Sequence, residues 1–216
     1  MPSKTLLAVW GVIDFLLLAA GGMTIAISVL FKAPDPIRNI ALTDFDLNFG
    51  LVLGIFYVAT FCLSIGAILQ RNHVTIGLAI LNWALIADAI VTVIYGANLW
   101  YMTLQETLNF SRVWNTTTPA RRIAVQEKFK CCGFLNNTAV EASGFCATPA
   151  NALDNGCSAT FLPLADTMLM DAFTTVYGYT AILVLFFLAT MCVIKKRQET
   201  ERFRQIDAKR GGGGFV

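Results

Sequence analysis

Long apolar stretches alternate with polar segments along most of this chain. Four stretches exceed the roughly 20 residues that an α-helix needs to cross a bilayer, and they are 5–31, 47–70, 74–100 and 172–194. The remaining segments hold every charged side chain except Asp14 and Asp88. These polar segments are 1–4, 32–46, 71–73, 101–171 and 195–216. The pattern predicts an all-α membrane protein with four transmembrane helices.

The first apolar stretch admits a second interpretation. Ala19, Ala20, Gly21 and Gly22 resemble the small-residue cleavage site of a secretory signal peptide. The apolar run continues well beyond Gly22, however, and an aspartate in mid-segment is unusual for a signal. We therefore expect a retained helix, and a mature N-terminus near residue 21 would contradict this.

The composition supports lipid as the surrounding solvent. Of the 216 residues, 56% are hydrophobic and 14% are charged, whereas soluble domains carry about 25% charge. The net charge is only +2, which gives no electrostatic footprint for nucleic acid.

Among the polar side chains inside the apolar stretches, Asp14, Asn82 and Asp88 are two carboxylates and one amide that lie well away from the span ends. Placing a carboxylate inside a membrane costs free energy, so such a residue is first considered a candidate for a functional role. Asp14 and Asn82 both lie about nine residues from the membrane face on which the two termini lie. They should therefore share one depth in the membrane, and we expect a hydrogen bond between them. Asp88 lies about two turns further out. These residues either hold helices together or form a proton or ion path. No intramembrane Lys, Arg or His accompanies them.

Small residues and cysteines in the spans suggest further contacts. Gly50 and Gly54 form a small-xxx-small pair that lets another helix approach closely. Cys192 lies just before a basic run, which predicts palmitoylation. Cys62 lies deeper, and we expect it to pack between helices.

The distribution of basic residues predicts the orientation. Nine of the sixteen Lys and Arg residues fall in the segments 1–4, 71–73 and 195–216, although the loops 32–46 and 101–171 together are far longer than these three segments together. Basic residues are enriched on the cytosolic side. Both termini should therefore be cytosolic, in the plasma membrane or in an endomembrane such as the vacuole.

The loop 101–171 has the features of an extracytoplasmic domain. It contains the three glycosylation sequons of the chain, at Asn109, Asn115 and Asn136. We expect a helix continuing from the third span to Trp114. A second should be capped by Thr118, run to Cys132 and be ended by a left-handed Gly133.

Four of the six cysteines lie in this loop, at positions 131, 132, 146 and 157. An even cluster in a polar loop indicates disulfides and an oxidising compartment. A bridge between adjacent Cys131 and Cys132 would be strained, which leaves two pairings open. Each bridge should contribute on the order of 3 kcal/mol to stability. A redox-active pair is disfavoured because there is no Cys-x-x-Cys.

No catalytic constellation is present. The chain has one histidine, and no metal-ligand spacing, phosphate loop or nucleophile elbow. We expect a protein that is not an enzyme and uses no metal and no cofactor.

The spans, the short inner hinge and the large loop with Cys131, Cys132 and Gly133 together resemble a tetraspanin over nearly the whole chain. The helix approaching this motif, from Val125, and the Gly156-Cys157 pair also match the family. The compact loop is similar to that of small fungal tetraspanins linked to host penetration by infection structures. The resemblance implies the pairing Cys131–Cys157 with Cys132–Cys146, and a partner-recognising segment 134–156.

The resemblance also implies a function. Tetraspanins organise other membrane proteins, and copies of themselves, into lateral assemblies without catalysis. A sterol among the membrane lipids is a weaker expectation, because the fourth span lacks the family's carboxylate. The alternative is a transporter or channel that uses Asp14 and Asp88. A claudin-like junction protein fits less well, because claudins carry their cysteine pair in the first outer loop.

Overall fold

The structure, a computed structural model, describes residues 4–33, 44–70, 75–135, 140–142, 144–148 and 156–210. Within these ranges the chain forms six α-helices, one 3-10 turn at Gly144–Ala147 and no strand. The helices are α1 (Lys4–Phe31), α2 (Asp44–Leu69), α3 (Ile76–Leu104), α4 (Glu106–Thr116), α5 (Pro119–Phe129) and α6 (Ser158–Lys209). The hinge 71–73 lies outside the described residues.

Four helices, α1, α2, α3 and α6, are long and apolar enough to cross a membrane. This finding indicates a multi-pass membrane protein. The first three match the predicted spans closely at both ends. The fourth differs, because α6 runs unbroken for 52 residues through the predicted span and into the charged tail. Beyond Pro163 this helix contains no proline and only one glycine, Gly178, so little in its sequence interrupts the helix.

The third span does not continue to Trp114 as one helix. α3 ends at Leu104, and Gln105 leaves the helical region with φ −138° and ψ 54°. α4 then restarts at Glu106 and buries Asn109, Phe110 and Trp114. After the break, this short amphipathic helix places Phe110 and Trp114 in the core of the second unit.

The chain divides into two compact units. The first unit comprises Met1–Ile25, Val52–Val93 and Tyr177–Val216, and the second comprises Ala26–Leu51 and Ile94–Val176. Each long helix contributes residues to both units. The first unit holds the buried residues Asp14, Asn82 and Asp88, and the second holds all four disulfide-bonded cysteines.

The second unit has its own hydrophobic core. Phe110 of α4 meets Phe161 of α6 edge to face, with ring centroids 5.3 Å apart. Trp114 packs on Phe134 with centroids 5.7 Å apart. These four rings are fully or almost fully buried together with Val125 of α5. The loop 101–171 is therefore folded around aromatic packing as well as disulfides.

α5 ends earlier than the position of Gly133 predicts. Its last residue is Phe129, and Lys130 adopts the left-handed conformation with φ 53°. Gly133 also has a positive φ, 72°, but it lies in the turn that follows. The N–H groups of Lys130 and Cys131 both donate to the Gln126 carbonyl, which closes the helix before the cysteines. Cys131 and Cys132 thus lie outside the helix and are free to take different directions.

Candidate functional site

Two nested disulfides follow the end of α5. Cys131 bonds Cys157 with 5.0 Å between Cα atoms, and Cys132 bonds Cys146 with 5.7 Å between them. All four cysteines are buried. This pairing is the one that the family resemblance implies. Because the two cysteines are adjacent, one short segment anchors both the start of α6 and the 3-10 turn.

Backbone hydrogen bonds tie the same corner to α6. The N–H of Cys157 donates to the Gly133 carbonyl at 2.9 Å, and the N–H of Ser158 donates to the Phe134 carbonyl at 3.1 Å. Donors at the first turn of a helix have no partner within the helix. The turn after Cys132 therefore supplies acceptors where α6 begins.

The 3-10 turn packs against α5. The ring of Phe145 lies under the Lys130 ammonium, 5.4 Å from Nζ to the ring centroid. Gly144 has φ 59°, and a Cβ there would collide with the Glu127 side chain. Arg122 pairs with Glu141 at 3.2 Å. Residues 140–142 and 144–148 are thus held on the polar side of α5. Of the segment 134–156 that is predicted to recognise partners, residues 136–139, 143 and 149–155 lie outside the described residues.

The three sequons differ in accessibility. Asn115 near the end of α4 is exposed. Asn109 is buried, and its side-chain nitrogen lies 3.4 Å from the carbonyls of Tyr101 and Met102. Because a glycan would attach to this nitrogen, the burial of Asn109 disfavours glycosylation there, and modification of the three asparagines stays a prediction. Asn136 lies outside the described residues.

A close pair of carboxylates links α4 to α6 in the second unit. Burial raises the pKa of Glu106 above its ordinary value, and the neighbouring Asp166 carboxylate raises it further through a hydrogen bond and charge repulsion. Two carboxylates form a hydrogen bond only when one of them carries a proton. This contact is therefore sensitive to pH.

In the first unit, Asp14 of α1 faces α2. Its Oδ2 accepts a hydrogen bond of 2.6 Å from the Ser64 hydroxyl. Its other oxygen, Oδ1, is buried without a partner. The expected bond between Asp14 and Asn82 is not formed. Asn82 instead donates from Nδ2 to the Met191 sulfur of α6 at 2.9 Å, and its own Oδ1 is also buried and unpaired.

Asp88 of α3 also faces α2. The Thr60 hydroxyl donates to its Oδ2 at 2.6 Å. One turn further on, Thr92 donates to the Asp88 backbone carbonyl at 2.6 Å, and the Tyr57 hydroxyl lies 2.7 Å from the Thr92 hydroxyl. Tyr57 also meets Tyr179 of α6 edge to face at 5.9 Å. The two carboxylates therefore bind hydroxyls on successive turns of the same helix.

The sequence analysis missed these hydroxyl partners. Tyr57, Thr60 and Ser64 are all buried and stand three and four residues apart, which places them on one face of α2. This spacing could have predicted a polar face on α2. It could not have predicted which helices supply the carboxylates, because spacing within one helix does not show which helices lie next to it. A further bond, from Trp10 Nε1 to the Thr190 hydroxyl at 3.0 Å, joins α1 to α6.

The two cysteines outside the disulfides are both exposed. For Cys192 this exposure leaves the thiol open to modification. For Cys62 it contradicts the prediction that the side chain packs between helices. Ser64, two residues after Cys62, is buried. Residues two positions apart in an α-helix point in nearly opposite directions, so the face of α2 that buries Ser64 leaves Cys62 exposed.

Gly54 makes the close helix contact that the small-residue pair predicts. A Cβ on Gly54 would lie 2.7 Å from Ile25 Cγ1 and 3.0 Å from the Gly21 carbonyl oxygen of α1. In the second unit, a Cβ on Gly50 would lie 2.8 Å from the Ser28 hydroxyl oxygen. Both glycines therefore face α1.

Among the described residues, no group of three or more His, Cys, Asp or Glu side chains could hold a metal ion. Comparison of the chain with models of protein families, with curated proteins and with solved structures gave no match in any of the three.

Proposed function

We propose that this chain is a tetraspanin-type scaffold that gathers other membrane proteins, and copies of itself, into lateral assemblies. The observation that carries this proposal is the corner at Cys131 and Cys132. Two nested disulfides there hold a separate helical unit in which residues 140–142 and 144–148 lie against α5. Such a unit presents a defined surface to a partner and offers no chemistry. The proposal includes the fungal role suggested by the compact loop, in structures that penetrate a host.

In this proposal the four long helices span the membrane as a bundle. The disulfide-bonded loop lies outside the cytosol, which fits its oxidised cysteines. Both termini are then cytosolic, in the plasma membrane or an endomembrane. Cys192 is exposed two residues before Ile194, at the end of the apolar stretch, where acylation would favour lateral clustering. The other partners are membrane lipids, with a sterol less favoured because the fourth span has no carboxylate.

The contacts of Asp14 and Asp88 support a structural role over transport. Each carboxylate accepts a hydrogen bond from a hydroxyl of α2, and interhelical hydrogen bonds hold transmembrane helices together. The unpaired Oδ1 of Asp14 is the one observation that favours the alternative, a transporter or channel. Ion flux through the purified protein in liposomes would support that alternative.

The scaffold is tested by purification in mild detergent from native membranes. In the test variant, residues 147–155 are replaced by a Gly/Ser segment of equal length, which leaves Cys146 and Cys157 in place. We expect the wild type to retain stoichiometric membrane partners and the variant to lose them while remaining folded. Exchange of the exposed tail residue Arg202→Gln serves as a control. Identical partners for all three proteins would overturn the role assigned to the loop.

A further inference from the structure

Arg197 of α6 lies just beyond the apolar stretch 172–194 and is buried, with 4% of its surface exposed. Its Nη2 donates a hydrogen bond of 3.0 Å to the Ile68 carbonyl of α2. Nε and Nη1 are also buried, and they have no hydrogen-bond partner. A guanidinium carries one N–H on Nε and two on Nη1. These two atoms therefore carry three unused N–H donors.

The positive charge of Arg197 has little compensation. Ile68 is the penultimate residue of α2, so the guanidinium meets only the partial negative charge of a helix C-terminus. The nearest acid along α6, Glu199, pairs with Lys196 at 2.9 Å. No ion pair found among the described residues includes Arg197. A buried charge without a partner is strongly unfavourable, which indicates that an anion completes this site.

The position of Arg197 along α6 indicates where that anion comes from. Ile194 is the last residue of the apolar stretch. Arg197 follows three residues later, about 4.5 Å further along the helix axis. The headgroup region extends about 5 to 7 Å beyond each face of the hydrocarbon core. The guanidinium thus lies at the depth of lipid phosphates if α6 spans the bilayer.

We propose that Arg197 binds the phosphate group of an anionic phospholipid where the apolar stretch of α6 ends, beside the C-terminal end of α2. This inference rests on the membrane insertion proposed above. A guanidinium matches phosphate geometrically through several fixed N–H groups, whereas a lysine offers a single point charge. Nε and Nη1 are covered in this structure, so phosphate binding through them requires the Arg197 side chain to turn outward while Nη2 keeps its hydrogen bond to the Ile68 carbonyl.

The test compares four purified full-length proteins: wild type, Arg197→Gln, Arg197→Lys and Lys195→Gln. Lys195 is exposed on the same helix, so its exchange removes the same charge without touching the site. Native mass spectrometry in mild detergent measures binding of phosphatidylserine against phosphatidylcholine. We expect Arg197→Gln to lose about tenfold in phosphatidylserine affinity, the loss of one charge-assisted hydrogen bond. Lys195→Gln should change much less, and Arg197→Lys should fall between the two.

Several outcomes would overturn the inference. Equal losses in Arg197→Gln and Lys195→Gln would show general electrostatic attraction. Competition by inorganic phosphate as effective as that by phosphatidylserine would identify a soluble ligand instead. If phosphatidylserine raises the melting temperature of wild type and Arg197→Gln equally, Arg197 serves only to cap α2.

The membrane proposal is checked separately by alkaline extraction of native membranes. A wild-type protein released by alkali would overturn both the membrane proposal and the lipid site. A wild-type protein that stays inserted but shows no preference for phosphatidylserine would overturn the lipid site alone.

Discussion

The Ser64 hydroxyl of α2 donates a 2.6 Å hydrogen bond to Asp14 Oδ2 of α1. Both residues are buried, and the second carboxyl oxygen of Asp14 has no partner. The bond to Ser64 is therefore the one described polar contact that connects this carboxyl group to another helix.

Replacing Ser64 by alanine should destabilise the first unit. Both oxygens of Asp14 would then be unpaired, at a cost of about 1 to 2 kcal/mol. Asp14→Asn keeps an acceptor oxygen and should change stability less. Thr24→Ala is the control, because the Thr24 hydroxyl bonds only its own helix at the Ala20 carbonyl. Thermal unfolding in mild detergent measures all three. An ion current abolished in Asp14→Asn would contradict the purely structural role.

The contact between α1 and α2 predicts a difference between two glycines of the same helix. Gly54→Ala places a methyl group against the Gly21 carbonyl and Ile25, so the helices must separate. Gly66→Ala meets nothing within 4 Å. We expect the first exchange to lower the melting temperature and the second to leave it unchanged or raise it, since alanine favours helix. Equal effects would show that α1 and α2 do not pack closely at Gly54.

The two disulfides should not contribute equally. Sequence separations of 26 and 14 residues predict similar chain-entropy contributions, about 3.5 and about 3 kcal/mol. All four cysteines are buried, but only Cys131 and Cys157 belong to the apolar cluster around Phe110 and Trp114. The double exchange of Cys131 and Cys157 to alanine should therefore cost more. Urea unfolding of both double variants measures this, and a larger loss for Cys132 and Cys146 would contradict it.

Much of the helical framework was predictable, because apolar runs of span length have few alternative folds. The finer contacts were not. Asp14 and Asn82 were expected to meet because they share a depth, but depth alone does not say which helix faces which. Gly133 was expected to end α5, yet a glycine only permits a left-handed turn. The hydrogen bonds to the Gln126 carbonyl place that turn at Lys130 instead.

The burial of individual charged residues could not be predicted from the sequence either. In the sequence Arg197 stands in a basic run beside Lys195 and Lys196, which is typical of a solvated membrane anchor. The structure exposes both lysines and buries the arginine. Adjacent helical residues point about 100° apart, so one of three consecutive basic residues faces α2. Only the packing of α6 shows which one.

The Glu106 and Asp166 pair predicts a pH dependence of stability. The pKa of Glu106 is raised in the folded state, so the folded protein binds this proton more tightly than the unfolded chain. Unfolding free energy should therefore fall as pH rises from the ordinary carboxyl range through the raised pKa, and level off above it. Glu106→Gln should remove this slope. Melting temperatures between about pH 4 and pH 8 measure it, with Asp171→Asn, an exposed exchange on α6, as control. A slope unchanged in Glu106→Gln would contradict the assignment.

Asn115 provides a test of the proposed orientation. Its side chain is exposed, whereas that of Asn109 is buried and close to two backbone carbonyls. If the loop enters the secretory lumen, Asn115 should carry a glycan and Asn109 should not. On a gel, Asn115→Gln should lower the apparent mass by that of one glycan, and treatment of the wild type with an endoglycosidase should remove the same glycan. Asn109→Gln should leave the apparent mass unchanged. If the loop faces the cytosol, Asn115 should carry no glycan, because glycosyl transfer takes place in the lumen. Glycan attachment at Asn109 would instead contradict the burial of α4 against the core of the second unit.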